Sequence, residues 1–209
     1  PQGGEAIRAG GARECLAVRN GVGILDASTL GKIDIRGTDA REFLNRIYTN
    51  AWLKLGVGKC RYGLMCGEDG MVMDDGVTAC LADNHFVMTT TTGGAARVLE
   101  WLERWHQTEW PELNVYFNTV TDHWATATIS GPDARALLSE LTDTDLDSDN
   151  FPFMAWREGM VADIPGRIFR ISLTGELSYE INVNAHCGLA LGDRLIEAGK
   201  KYNLTPSGK

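Results

Sequence analysis

The sequence predicts an α+β fold of antiparallel sheets carrying helices in two layers, built from two copies of a strand–helix–hairpin–helix unit. Three observations predict it. The pattern Gly-x-Asp-Ala-Arg-x-(Phe/Leu)-Leu-x-x-(Ile/Leu) occurs twice, at Gly37–Ile47 and Gly131–Leu141. Each copy follows a short run that alternates apolar and polar residues, the period of a half-buried strand. Each is also followed by a candidate hairpin and then by a run with helical spacing. The repeat divides the chain into a first half, residues 1–122, and a second half, residues 123–209. A length of 209 residues suits one large domain or two small ones, with a sizeable core.

Residues 1–10 are Gly-rich and expected to fray. Glu14–Asn20 reads as a short helix closed by Gly21, and Val22–Ala27 as a strand or buried turn. Lys32–Gly37 alternates as a strand; Thr38–Ile47 follows as a helix with acidic residues in its first turn. In Lys59–Thr78 two β-prone runs flank Gly67-Glu68-Asp69-Gly70, a turn signal. His85–Met88 reads as a strand. It runs through Thr89–Gly94 into a helix over Ala95–Trp105, with Val98, Trp101, Leu102 and Trp105 on one face. In the second copy Thr126–Gly131 is a strand and Pro132–Leu141 a helix, Pro132 occupying a permitted first-turn position. Arg167–Val183 is the second hairpin, and Cys187–Tyr202 the last helix. Residues 142–152 form an acidic connector that lacks the glycine and closing glutamate of a calcium loop. The chain stops at Thr205-Pro-Ser-Gly-Lys209 without closing an element, as expected of a piece truncated at its C-terminus.

Bulk properties exclude several classes of function. A net charge of −8 argues against nucleic acid or an anionic membrane as partner. No apolar run approaches the roughly 20 residues of a membrane span, and no signal-peptide core is present. Five cysteines without Cys-x-x-Cys spacing read as reduced thiols in a cytoplasmic protein, and the four scattered histidines give no metal site. Gly56-Val-Gly-Lys59 and Gly21-Val-Gly23 are too incomplete for phosphate loops, and no Ser/His/Asp or Cys/His set can be assembled.

Carboxylates on strands remain. Along the first strand of the first hairpin Cys60, Tyr62, Leu64 and Cys66 share a face; along the second, Met71, Met73, Asp75 and Val77 do. An even loop makes these one face, with Asp75 its only carboxylate, beside or diagonal to Tyr62. An odd loop puts Asp74 there instead. A carboxylate on a buried apolar face needs donors, from the protein or from a ligand. In the second hairpin Phe169, Ile171, Leu173, Tyr179, Ile181 and Val183 define the apolar face. Glu180 then falls on the polar face, where a pair with Arg170 competes with ligand contact. Thr89–Gly94 offers hydroxyls and N–H groups that hold an anion or simply cap the helix.

Tyr62, the Gly67–Gly70 turn, Asp74-Asp75-Gly76-Val77 and Thr174-Gly-Glu-Leu-Ser-Tyr-Glu180-Ile resemble the aminomethyltransferase family. That is the folate-binding fold of the glycine cleavage T-protein and of the C-terminal regions of dimethylglycine and sarcosine oxidases. Ile24–Lys32, Phe43–Asn50 and His123-Trp124 are similar to the branch found in alpha subunits of heterotetrameric sarcosine oxidases. The resemblance implies tetrahydrofolate as ligand, Asp75 as the functional aspartate near its reactive nitrogens, and Glu180 at the pterin edge. It also implies Leu30, Tyr62, Val77 and Thr91 as pocket lining. A pterin presents an amino group and a ring N–H in parallel, which one carboxylate can accept together. Thr91 and Leu173 stand where the family often has Asn and Tyr. Relatives continue beyond residue 209 with arginines that hold the folate tail, and flavin and NAD are implied elsewhere in the complex, on other sarcosine oxidase subunits. The expected activity is capture of the one-carbon unit from sarcosine demethylation as 5,10-methylenetetrahydrofolate. The alternatives are a glycine-cleavage-type aminomethyltransferase and a non-catalytic interaction module.

Overall fold

The computed structural model describes residues 6–208. In chain order the elements begin α1 (Ile7–Asn20), β1 (Gly23–Asp26), β2 (Gly31–Arg36), α2 (Ala40–Ile47), β3 (Cys60–Cys66), β4 (Val72–Ala82) and β5 (His85–Thr90). They continue α3 (Ala95–Thr108), β6 (Tyr116–Thr119), β7 (Trp124–Ser130), α4 (Ala134–Ser139), β8 (Ala155–Val161) and β9 (Ile164–Arg170). Last come β10 (Ser178–Asn184), α5 (Gly188–Gly199) and the short β11 (Thr205–Pro206).

The chain separates into two units. Residues Thr29–Thr121 form one, a sheet in the order β3-β4-β5-β2-β6 whose neighbouring strands run antiparallel. Its core joins Ile33, Ile35, Met65, Phe86 and Met88 of the sheet to Phe43 and Leu44 of α2 and Leu102 of α3. Residues up to Ser28, with those from Asp122 onward, form the other, a sheet in the order β11-β1-β7-β10-β9-β8. There Ile129, Ile168, Tyr179 and Ile181 pack with Leu137 and Leu138 of α4 and Leu191 and Leu195 of α5. The early residues join this later unit because β1 pairs with β7 and with β11.

The duplication is visible in the strand orders β3-β4-β5-β2 and β8-β9-β10-β7. The shared motif follows from one corner turned twice. Gly37 and Gly131 have φ of 136° and 135°, open only to glycine. A Cβ on either would lie 2.0 Å from the Asn114 carbonyl oxygen or 2.2 Å from that of Gly21. Those same oxygens accept the N–H groups of Asp39 and Asp133 at 3.2 and 3.1 Å. Ala40 and Ala134, next in each motif, are completely buried.

Three expectations need correction. The first helix begins at Ile7, not Glu14: contact with β1 and β11 outweighs the poor helix propensity of Gly10 and Gly11. Of the expected frayed tail, residues 1–5 lie outside the described residues. The later unit carries three meandering strands, β8-β9-β10, rather than a hairpin, because β8 exists where the sequence signals no strand. Arg167–Val183 is therefore β9–β10, whose counterpart in the other unit is β4–β5 rather than β3–β4.

The acidic connector folds locally, the Asp145 and Asp147 carboxylates accepting the N–H groups of Asp147 and Asp149, both at 2.9 Å. Among the described residues no cluster of His, Cys, Asp and Glu is arranged to hold a metal, and no helix is long and apolar enough to cross a membrane.

Candidate functional site

The parity question at the first hairpin has a two-part answer. The connecting loop, Gly67–Met71, has five residues, the odd case. The register then slips by one, since Cys66 pairs with Val72 but Met65 with Asp74, leaving Met73 as a bulge. The two offsets cancel. Tyr62 pairs with Val77 and Leu64 with Asp75, so Asp75 sits diagonal to Tyr62 on the same face. The Tyr62 hydroxyl donates to Asp75 Oδ2 at 2.7 Å. That bond first, and burial second, raise the Tyr62 pKa above its ordinary value.

This face is not the buried one. The helices α2 and α3 pack on the side of Met65, Cys80 and Met88. Tyr62 is 47% exposed and Asp75 half-buried. The carboxylate on the buried side is Asp74, 5% exposed. Its Oδ1 accepts the N–H groups of Asp75 (2.7 Å) and Thr91 (3.1 Å), and its Oδ2 the Thr91 hydroxyl at 3.1 Å. Protein donors hold both oxygens of Asp74, whereas Tyr62 is the one donor to the Asp75 carboxylate among the described residues.

The topology gathers the other candidates of this unit. Gly31 pairs with Thr90, so Leu30 and Thr91 flank each other just past the sheet, at the end where Asp75 lies. The Thr29 and Thr92 hydroxyls bond across this point at 3.1 Å. Thr91 Oγ1 also accepts the Gly94 N–H at 3.1 Å, so capping uses its polar atoms. The Val77 N–H donates to Thr89 Oγ1 (2.9 Å) and its carbonyl accepts from the same hydroxyl (3.0 Å), leaving its side chain on the Tyr62 face. Lys32, opposite Thr89, also lies at this end of the sheet. It is 1% exposed, and its Nζ donates to the Leu30 carbonyl at 3.0 Å. In sequence it looks like the outward residue of an alternating strand.

Glu180 belongs to the other unit, on β10, and is 7% exposed. It stands opposite Phe169 on β9 and Thr128 on β7, not beside Arg170. The Arg170 guanidinium donates instead to the Phe151 carbonyl at 2.6 Å. The expected apolar face is corrected accordingly: Ile168, opposite Ile181, joins the core with Tyr179 and Val183, while Phe169 shares the face of Glu180. Leu173 lies in the loop, 73% exposed. A groove of about 390 Å³ lies elsewhere, between the β3–β4 turn and α3, lined by residues including Met71, Met73, Arg97 and Trp101 and by none of the candidates.

The two duplicated, helix-backed sheets recur in known proteins. The chain belongs to the family of the GCVT N-terminal domain, whose model matches residues 4–209. It is 53% identical over 210 aligned positions to sarcosine oxidase subunit alpha of Corynebacterium sp. (strain P-1), covering all of this chain but 22% of that protein. Among solved structures it is similar to the glycine cleavage system aminomethyltransferase T of Bartonella henselae, with a TM-score of 0.78 and 25% identity. That match covers 93% of this chain and 50% of the other. A chain of heterotetrameric sarcosine oxidase from Corynebacterium sp. U-96 shares the fold at a TM-score of 0.65 and 17% identity, with 93% of each chain covered. The chain thus spans about a fifth of that relative's length.

Proposed function

We propose that the Tyr62–Asp75 face binds tetrahydrofolate, in a protein of the sarcosine oxidase alpha-subunit type working in the cytoplasm with other sarcosine oxidase subunits. The observation that carries this reading is an accessible Asp75 carboxylate with a single protein donor, between the apolar side chains of Leu64 and Val77. A carboxylate offers about four lone-pair positions, and Tyr62 fills one. The rest fit the N–H groups of a nitrogen-rich heterocycle.

When bound, tetrahydrofolate supplies nucleophilic nitrogens that take up a one-carbon unit as 5,10-methylenetetrahydrofolate. Asp75 accepts a hydrogen bond, or the proton itself, from those nitrogens. Tyr62 fixes the Asp75 carboxylate and, with its pKa raised, stays protonated and able to donate. Leu30, Val77 and Thr91 line the site. Within its own unit Glu180 is proposed as the acceptor for the paired donors of a pterin edge. Oxidation of sarcosine, with flavin and NAD, belongs to other parts of the complex.

The likeness to aminomethyltransferase T keeps a second reading, a glycine-cleavage-type transfer from a lipoyl carrier. Co-purification with flavin-bearing subunits, rather than with a lipoylated protein, separates the two.

The test is Asp75→Ala in the full-length protein within its assembly, following sarcosine oxidation and one-carbon capture together. Capture is expected to fall about 10²-fold or more, in the range of general acid–base contributions, with oxidation unchanged. Capture at the wild-type rate removes Asp75 from the chemistry.

A further inference from the structure

The ladder between β4 and β5 ends at Thr78 and Met88. Beyond it, side chains bind the two strands. Thr89 Oγ1 accepts the Val77 N–H and donates to the Val77 carbonyl, and the Asp74 carboxylate holds three groups at once. One of these is the N–H of Asp75 and another the N–H of Thr91, both on Oδ1; the third is the Thr91 hydroxyl on Oδ2. Space around this carboxylate is closed. A Cβ on Gly94, the residue before α3, would stand 1.8 Å from Asp74 Oδ2.

We propose that Asp74 is a positioning residue of the folate site, setting Asp75 against Thr91 and the start of α3; the inference rests on the folate reading of Asp75. Three features support it. Asp74 is almost fully buried and turned away from the Tyr62 face, so it acts through its neighbours. Three bonds from two chain segments converge on its one carboxylate, which suits a fixed spacer. Asp75 lies on β4 and Thr91 just after β5, beyond the point where the pairing of these two strands stops, so the ladder between them does not set their separation.

The experiment uses the full-length protein in its assembly, with four readouts: sarcosine oxidation, KM and kcat for one-carbon capture, folinic acid affinity by calorimetry, and the melting temperature. Asp74→Ala is expected to leave oxidation unchanged and to lower capture kcat/KM by about 10- to 10²-fold, the cost of a small misplacement. Asp74→Asn restores most of it, because the amide oxygen still accepts both N–H groups and the amide nitrogen donates to Thr91. Gly94→Ala, which crowds the carboxylate and leaves Asp74 in place, reproduces the loss, and it decides the question if Asp74→Ala fails to fold. Wild-type capture in Gly94→Ala, or a lower melting temperature with unchanged capture in Asp74→Ala, overturns the proposal. Wild-type capture in Asp75→Ala, together with no folinic acid binding by the unmodified protein, overturns the folate reading itself.

Discussion

At the scale of single residues, the pair Tyr62–Asp75 is the centre of the account. Its bond shifts the phenol pKa upward, and the direction fixes a measurable consequence. The folded state keeps the Tyr62 proton to a higher pH than the unfolded chain does. The stability gained from the bond is therefore fully present below the ordinary tyrosine value of about 10 and is lost as pH rises through the folded value. An ultraviolet pH titration, with Tyr62→Phe subtracted to isolate this phenol, is expected to show its midpoint fall in Asp75→Asn. An unmoved midpoint would mean that the bond does not hold in solution. The sequence alone could offer only a choice between Asp75 and Asp74. Five loop residues and one bulged methionine together decide it, and neither carries a signal of its own. What the residues did not disclose was exposure. An apolar alternation such as Tyr62-x-Leu64 looks like a core face, yet α2 and α3 cover the opposite side. Glu180 shows the reverse error: a charged residue expected on a polar surface is 7% exposed.

At the scale of elements, the Gly-x-Asp-Ala-Arg repeat proved the most legible feature, since its glycine, aspartate and alanine each have a distinct steric or bonding duty. Its glycine is the severest. Gly37→Ala must adopt a φ of 136° and place a Cβ 2.0 Å from a backbone oxygen. The cost is expected to be at least about 1–3 kcal/mol, the strain of a sparsely populated backbone region, seen as a lower denaturant midpoint. Gly56→Ala, where no atom lies within 4 Å of the added Cβ, is the control and is expected to unfold near the wild-type midpoint. Equal midpoints for the two variants would contradict the corner as described. Strand β8 escaped notice for a related reason. Its turn into β9 uses Ala162 and Asp163, with φ of 51° and 65°, so it carries no glycine to announce it. Without that strand, Arg167–Val183 aligns with β3–β4 instead of its counterpart β4–β5.

At the scale of the whole molecule, each unit buries one sheet face against its helices, and Tyr62, Asp75 and Val77 of one unit and Glu180 of the other lie on the face opposite. The family likeness identified the candidates, and the strand pairing explains why residues as distant in sequence as Leu30, Tyr62, Asp75 and Thr91 reach one end of a sheet. The early segment's allegiance to the later unit could not be read locally, because β1 finds its partners more than a hundred residues away. The most direct measurement is a crystal structure of the full-length protein with folinic acid bound. The account expects a pterin-ring nitrogen within hydrogen-bonding distance of the Asp75 carboxylate, with Tyr62 still donating to Oδ2. Folinic acid seated away from the Tyr62–Asp75 face, or Asp75 engaged only by protein groups in the complex, would contradict it.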